Sequence, residues 1–281
     1  MLRPREIGEA PSHGAYSVIM GIMTILESVI LGIVEGATEF LPISSTGHLI
    51  LASSLLGVFQ IDFVKTFEIA IQLGAILAVI VLYFKSFFDW RLLSKLAAAF
   101  IPTAIIGLAF YNFVKEYALG NNILVLWALL IGGVVLILFE RWHGRLEDVA
   151  PAVAPRDISW RQAALVGLAQ AVAIIPGVSR SGATIIGGLA LGINRATIVE
   201  FSFLLAVPTM VAATGFSLYE GGALAFSSQE WMALAVGFVT SFVVALATVY
   251  WFLAYIRTHS FTSFGIYRIL LSLVFFAYLF A

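Results

Sequence analysis

Apolar runs along this chain fall into two lengths. Six runs, at about 66–84, 96–114, 122–140, 197–219, 231–255 and 265–281, hold close to the roughly 20 residues that carry a helix across about 30 Å of hydrocarbon. Three others, near 47–58, 163–175 and 182–193, hold about 12 residues, enough for roughly 18 Å of helix. These predict helices that cross only half of a membrane. The run from 18 to 39 is long enough to span, yet Glu27, Glu35 and Glu39 interrupt it.

The short runs are grouped around a proline and a glycine-serine cluster, FLPISSTGH in one half of the chain and IIPGVSRSG in the other. Each group predicts a re-entrant helical hairpin. Gly32 to Gly47 and Gly167 to Gly182 are both 15 apart, and a Leu-Gly pair follows each, at Leu56-Gly57 and Leu191-Gly192. The pattern therefore divides the chain into a polar tail at 1–17, a first repeat at 18–140, a charged linker at 141–161 and a second repeat at 162–281. Each repeat is a hairpin followed by three spans. Three is odd and a hairpin returns to its own side, so the second repeat must lie inverted relative to the first. The hairpin tips then meet near the midplane, where inverted-repeat membrane proteins build polar sites from broken helices.

Composition agrees with this pattern. The 281 residues are 61% hydrophobic and 11% charged, and mean hydropathy is +1.03, whereas soluble domains are about 25% charged. The fold class is an all-α polytopic membrane protein. A net charge of −1 argues against nucleic acid as a partner, since that needs a basic face. The absence of cysteine excludes thiolate catalysis, disulfides and zinc-thiolate sites. The tail lacks the basic region and cleavage site of a signal peptide. Lys85, Arg91, Lys95, Arg141, Arg145, Arg156, Arg161, Arg195 and Arg257 fall on one side of the predicted spans, against Arg3, Arg5, Lys65 and Lys115 on the other. The richer side is expected to be cytoplasmic, which places both termini and the mouth of the first hairpin on the opposite, outer face.

The two tips carry the chemistry. Glu35 and Glu39 are one helical turn apart, about 6 Å, and two carboxylates at membrane depth need an offsetting charge or proton. A hard divalent cation, Mg²⁺ or Ca²⁺, would supply it, since such ions take carboxylate, water and phosphate oxygens. Protonation of one glutamate is the structural alternative. Ser44, Ser45, Thr46, Gly47 and His48 open a helix after Pro42, a setting that caps the helix and also presents amides to phosphate. Ser45 and His48 are three apart, hence a candidate nucleophile and proton carrier on one face. At the second tip, Ser179, Arg180, Ser181 and Gly182 open another helix. Arg180 is either a phosphate fork or the partner of Glu35 or Glu39 in a structural ion pair. Gln170 occupies the repeat position of Glu35, so the second half lacks the carboxylate pair. Glu68, Gln72, Glu200 and Ser202 are weaker signals that need only tie helices together.

With EGATEFLPISSTGH, FEIAIQLGAILAV, PGVSRSGATI and EFSFLLAVP in order, the sequence resembles the undecaprenyl-diphosphate phosphatase family, also called UppP or BacA, from about residue 20 to 280. The resemblance implies an integral enzyme of the bacterial plasma membrane. It would convert undecaprenyl diphosphate to the monophosphate carrier of cell-wall synthesis and would confer bacitracin resistance. It places the acidic motif on Glu35 and Glu39, the serine-histidine segment on Ser44, Ser45, Thr46 and His48, and the arginine motif on Ser179, Arg180 and Ser181. It further implies a divalent-metal requirement and a site opening toward the periplasm. The expected mechanism is in-line attack by Ser45, or by a water that Ser45 positions, with His48 moving the proton. Glu35 and Glu39 would hold the metal, and Arg180 and the tip amides would stabilise developing charge. The expected partners are a polyprenyl diphosphate and membrane lipids, and a homodimer is left open. The rival reading is an inverted-repeat transporter or flippase for an anionic substrate, which needs no nucleophile.

Overall fold

The computed structural model describes residues 23–58, 62–117, 121–143, 153–221 and 226–280. The expected tail at 1–17 and the middle of the linker, at 144–152, lie outside the described residues. Within them the chain is helical throughout. Two short helices, α1 (Ile25–Thr38) and α2 (Ser45–Leu56), precede three long ones, α3 (Asp62–Leu82), α4 (Trp90–Tyr117) and α5 (Asn122–His143). The order then recurs as short α6 (Trp160–Ala171) and α7 (Arg180–Ala190), followed by long α8 (Arg195–Gly221), α9 (Ser228–Tyr255) and α10 (Thr262–Phe280).

The six long helices carry segments apolar enough to cross a membrane, from Phe63–Leu82 to Thr262–Leu279. They match the six runs predicted from the sequence, although α4 begins earlier, at Trp90, because its first turns are polar. The run at 18–39 does not form a full span among the described residues. Helix α1 has 14 residues, or about 21 Å, and ends at Glu39.

Each short pair packs upon itself, and each leading helix then packs on a long helix of the other half, α1 against α9 and α6 against α4. The long helices α3 and α8 meet, as do α5 and α10. Two matched glycines make the cross-packing close. A Cβ on Gly32 would lie 2.7 Å from the Gly237 carbonyl oxygen of α9, and one on Gly167 would collide with the Ala99 carbonyl oxygen of α4. Backbones at that distance exclude any side chain, as small-residue contacts between membrane helices do generally. The Leu-Gly pairs share a task as well, since Gly57 and Gly192 both take left-handed φ, at 68° and 74°, where the short helices α2 and α7 end.

At the end of the molecule away from the tips, Arg195 donates twice to Glu140, at 2.7 and 3.0 Å, and the Phe261 amide donates to the same carboxylate. This buried pair fastens α5, α8 and the turn before α10. Lys95 lies 3.8 Å over the Trp160 ring and is also buried. Two of the cations counted as loop charge therefore serve packing. Nearby, the Arg156 guanidinium hydrogen-bonds Asp89 and holds its carboxyl below the usual carboxylate range.

Candidate active site

The turn after α1 and the turn before α7 meet inside the helix bundle. Ser181 and Ser179 both donate to the Leu41 carbonyl, at 2.6 and 3.3 Å, joining the second tip to the first. Phe40 is fully buried and packs edge-on against Phe203 of α8, with centroids 5.2 Å apart. The polar tips are thus seated by apolar contacts beside them.

Both helices that open here are capped in the same way. The Ser44 hydroxyl accepts from the Gly47 amide at 3.3 Å, and the Ser179 hydroxyl accepts from the Gly182 amide at 3.0 Å. Gly47 and Gly182, the expected phosphate-binding glycines, thus have amides that donate to the capping serines. Those amides are already engaged, and only the earlier amides of each first turn remain. Ser44 has φ 74° and is the only described non-glycine residue at positive φ. Such conformations persist where surrounding bonds over-determine them, and here the Ser44 carbonyl is held by the His48 ring.

Ser45 donates to Glu39 Oε2 at 2.5 Å, and Arg180 Nη2 donates to Glu39 Oε1 at 3.0 Å. Arg180 Nη1 reaches the Ser202 carbonyl at 3.0 Å, while its buried Nε has no partner. Ser202 is in turn hydrogen-bonded to Thr184 at 2.6 Å, so α8 holds the foot of the arginine. The ion pair weighed as the structural alternative for Arg180 is therefore present. Arg180 uses two of the five guanidinium N–H groups, so Nε and one N–H on each Nη carry no hydrogen bond to the protein.

His48 is placed differently from the expectation. Its Nδ1 lies 2.7 Å from the Ser44 carbonyl oxygen, which can only accept, so Nδ1 carries a proton. Its Nε2 faces Tyr267 Oη at 2.8 Å, with the two rings nearly parallel. Neither nitrogen contacts Ser45. Three-residue spacing put both side chains on one helix, but rotation about the axis turned the imidazole toward α10 and the hydroxyl toward Glu39.

Glu35 is completely buried, and neither of its oxygens has a hydrogen-bond donor. The carboxylates of Glu39 and Glu68 and the opposing charge of Arg180 all act on it electrostatically. Glu35 and Glu39 both offer hard carboxylate oxygens, and those of Glu35 have no hydrogen-bond donor, which fits Mg²⁺ or Ca²⁺ completed by phosphate and water oxygens. Among the described residues no cluster of three or more His, Cys, Asp or Glu could hold a metal alone.

A cavity of about 510 Å³ opens from this junction. Glu39, Ser44, Ser45, Thr46, Ser179 and Arg180 form its polar end, and α4 and α8 supply apolar walls that include Leu108 and Met210. Tyr111 and Phe216 stand edge to face at the apolar end, 4.9 Å apart. Glu35, Gly47, His48, Ser181 and Gly182 do not line it.

Sequence reasoning missed Arg268 and Tyr267. Arg268 is buried on α10 and donates to Pro42 O at 3.2 Å in the first tip and to Gly177 O at 3.1 Å in the second. It also donates to Leu129 O and Ala128 O of α5. Among the described residues it pairs with no carboxylate. A lone arginine within the apolar run 265–281 was the available signal, because an intramembrane cation marks a site or a clamp.

A family model described as bacitracin resistance protein BacA matches residues 28–274. The undecaprenyl-diphosphatase of Aquifex aeolicus (strain VF5) is 50% identical over 260 residues, covering 91% of this chain and 99% of its own length. That of Wolinella succinogenes is 50% identical over 261 residues, with 92% and 99% covered. That of Campylobacter fetus subsp. fetus is 45% identical over 260 residues, with 92% and 100% covered.

Proposed function

The chain belongs to the bacitracin resistance protein BacA family, and from that membership we propose that it hydrolyses undecaprenyl diphosphate to undecaprenyl phosphate and inorganic phosphate. The observation that carries the catalytic reading is the 2.5 Å contact between Ser45 and Glu39 beside Arg180. A pure transporter needs no such activated hydroxyl. The cavity's shape supports the substrate class, with a cationic and hydroxyl-bearing end for phosphate and apolar walls for a prenyl chain.

Glu39 Oε2 takes the Ser45 proton as Oγ bonds to the terminal phosphorus. The bond from that phosphorus to the bridging oxygen breaks, and its electron pair leaves with the lipid monophosphate. Arg180 stabilises charge on the equatorial oxygens, aided by the amides of the first turns of α2 and α7. Water then attacks the phosphoserine, Glu39 returns its proton to Ser45 Oγ, and the water's protons leave on inorganic phosphate. His48 fixes the strained Ser44 turn and so positions Ser45, in place of the proton-carrying role read from spacing. Glu35 and Glu39 would hold Mg²⁺ or Ca²⁺, whose chemistry when bound is to neutralise diphosphate charge.

The same reading places the protein in the bacterial plasma membrane as two inverted repeats. Its support is the recurring element order and the exchange of packing partners between halves, α1 with α9 and α6 with α4. The excess of Lys and Arg on one side supports an orientation with the first hairpin, both termini and the mouth of the site toward the periplasm.

Purified protein given undecaprenyl diphosphate in detergent should release phosphate with Mg²⁺ or Ca²⁺ present. A chelator should stop release, and added metal should restore it. No release with either ion would overturn the hydrolase reading.

A further inference from the structure

Gln170 ends α6 on the cavity wall, and its surroundings fix which way its amide points. Two long helices each carry a proline followed by threonine, Pro102-Thr103 in α4 and Pro208-Thr209 in α8, and both threonines face Gln170. Thr103 donates its hydroxyl hydrogen to the Gly167 carbonyl at 2.7 Å, and Thr209 donates to the Leu205 carbonyl at 2.8 Å. A hydroxyl has one hydrogen, so each threonine can only accept from Gln170. Gln170 Nε2 does donate to both, at 3.0 and 3.1 Å. A flipped amide would set its oxygen against two oxygens with no hydrogen left to give. Gln170 Oε1 is therefore locked as an acceptor. The residue is 2% exposed, and that oxygen has no partner.

A buried carbonyl held in this way, on the cavity shared with Glu39, Ser45 and Arg180, leaves a costly gap unless a donor fills it. We propose that Gln170 Oε1 is a subsite for an O–H group of the reacting system. It repels a fully deprotonated phosphate oxygen and accepts from a hydroxyl. Two sources carry that chemistry, a protonated oxygen of the terminal phosphate and the water that cleaves phosphoserine. This inference rests on the phosphatase reading.

The test replaces Gln170 with leucine, which keeps bulk and removes the acceptor. Wild type and Gln170→Leu are compared for kcat, for inhibition by inorganic phosphate and sulfate, and for acid-stable labelled phosphate on the protein during turnover. Phosphate near neutral pH carries an O–H, and sulfate carries none. If the donor is the phosphate group, wild type is inhibited roughly three- to tenfold more strongly by phosphate than by sulfate, the range of one neutral hydrogen bond, and the variant loses that preference. If the donor is water, kcat falls by a similar factor and label accumulates on the variant. Unchanged values, or a loss of rate with neither signature, would overturn the inference. If Gln170→Leu does not fold, Thr209→Val takes its place, since it removes one of the two amide anchors, and the same signatures should appear in weaker form. Wild type without phosphate release would defeat the hydrolase reading itself, whereas an active wild type with an indifferent variant defeats only the subsite.

Discussion

Alanine at Ser45 is expected to lower phosphate release from undecaprenyl diphosphate by about 10³-fold or more, with little change in thermal stability. The hydroxyl makes one hydrogen bond, to Glu39, and alanine leaves that carboxylate still paired with Arg180. The folded state therefore loses little, while the reaction loses its nucleophile. Glutamine at Glu39 is expected to cost a similar factor by a different route. It keeps a group of the same size against Arg180 but cannot take the Ser45 proton, and general bases contribute about 10² to 10⁴ in rate. Initial-rate assays on purified variants, with thermal unfolding in the same detergent, check both. Ser45→Ala within tenfold of wild type would remove this hydroxyl from the chemistry.

Methionine at Arg268 is expected to lower turnover about 10²-fold and also to lower the unfolding temperature. The Pro42 and Gly177 carbonyls lie in turns, and the guanidinium is the donor that reaches both at once. Methionine fills the length of the side chain and leaves those carbonyls without it, at roughly 1–3 kcal/mol for each buried group left unsatisfied. The effect on rate arises because the first tip carries Ser45 and Glu39 and the second carries Arg180. A shift of about 1 Å between them is enough to cost about 10²-fold. Lysine should rescue only in part, because one ammonium lacks the fork that spans the two turns. Arg268→Met with normal kcat and lower stability would make the residue a structural support alone.

The tips were the most legible part of the sequence. Polar residues at membrane depth have few explanations, and EGATEFLPISSTGH and PGVSRSG place theirs beside helix breaks. Run lengths separated spans from half-spans because hydrocarbon thickness fixes both. Side-chain direction was not legible in the same way. Spacing put Ser45 and His48 on one helix face, yet the neighbours that claim them, Glu39 and Tyr267, come from other elements. The caps show the same limit, since the serine hydroxyls that open each helix also occupy the Gly47 and Gly182 amides. Arg268 lay in plain view as a cation in an apolar run, but its partners are backbone carbonyls distant in sequence. No residue motif announces carbonyls.

The central claim is that Glu39 and Ser45 act as one catalytic unit at the junction of the tips. It is tested most directly by the rate of phosphate release from Glu39→Gln, Ser45→Ala and the double variant, measured together on folded protein. Residues that act as a unit are strongly non-additive. The double variant should therefore be no slower than the worse single, within about threefold. A double variant slower by the product of the two single losses would show that the residues act independently, and would contradict the account.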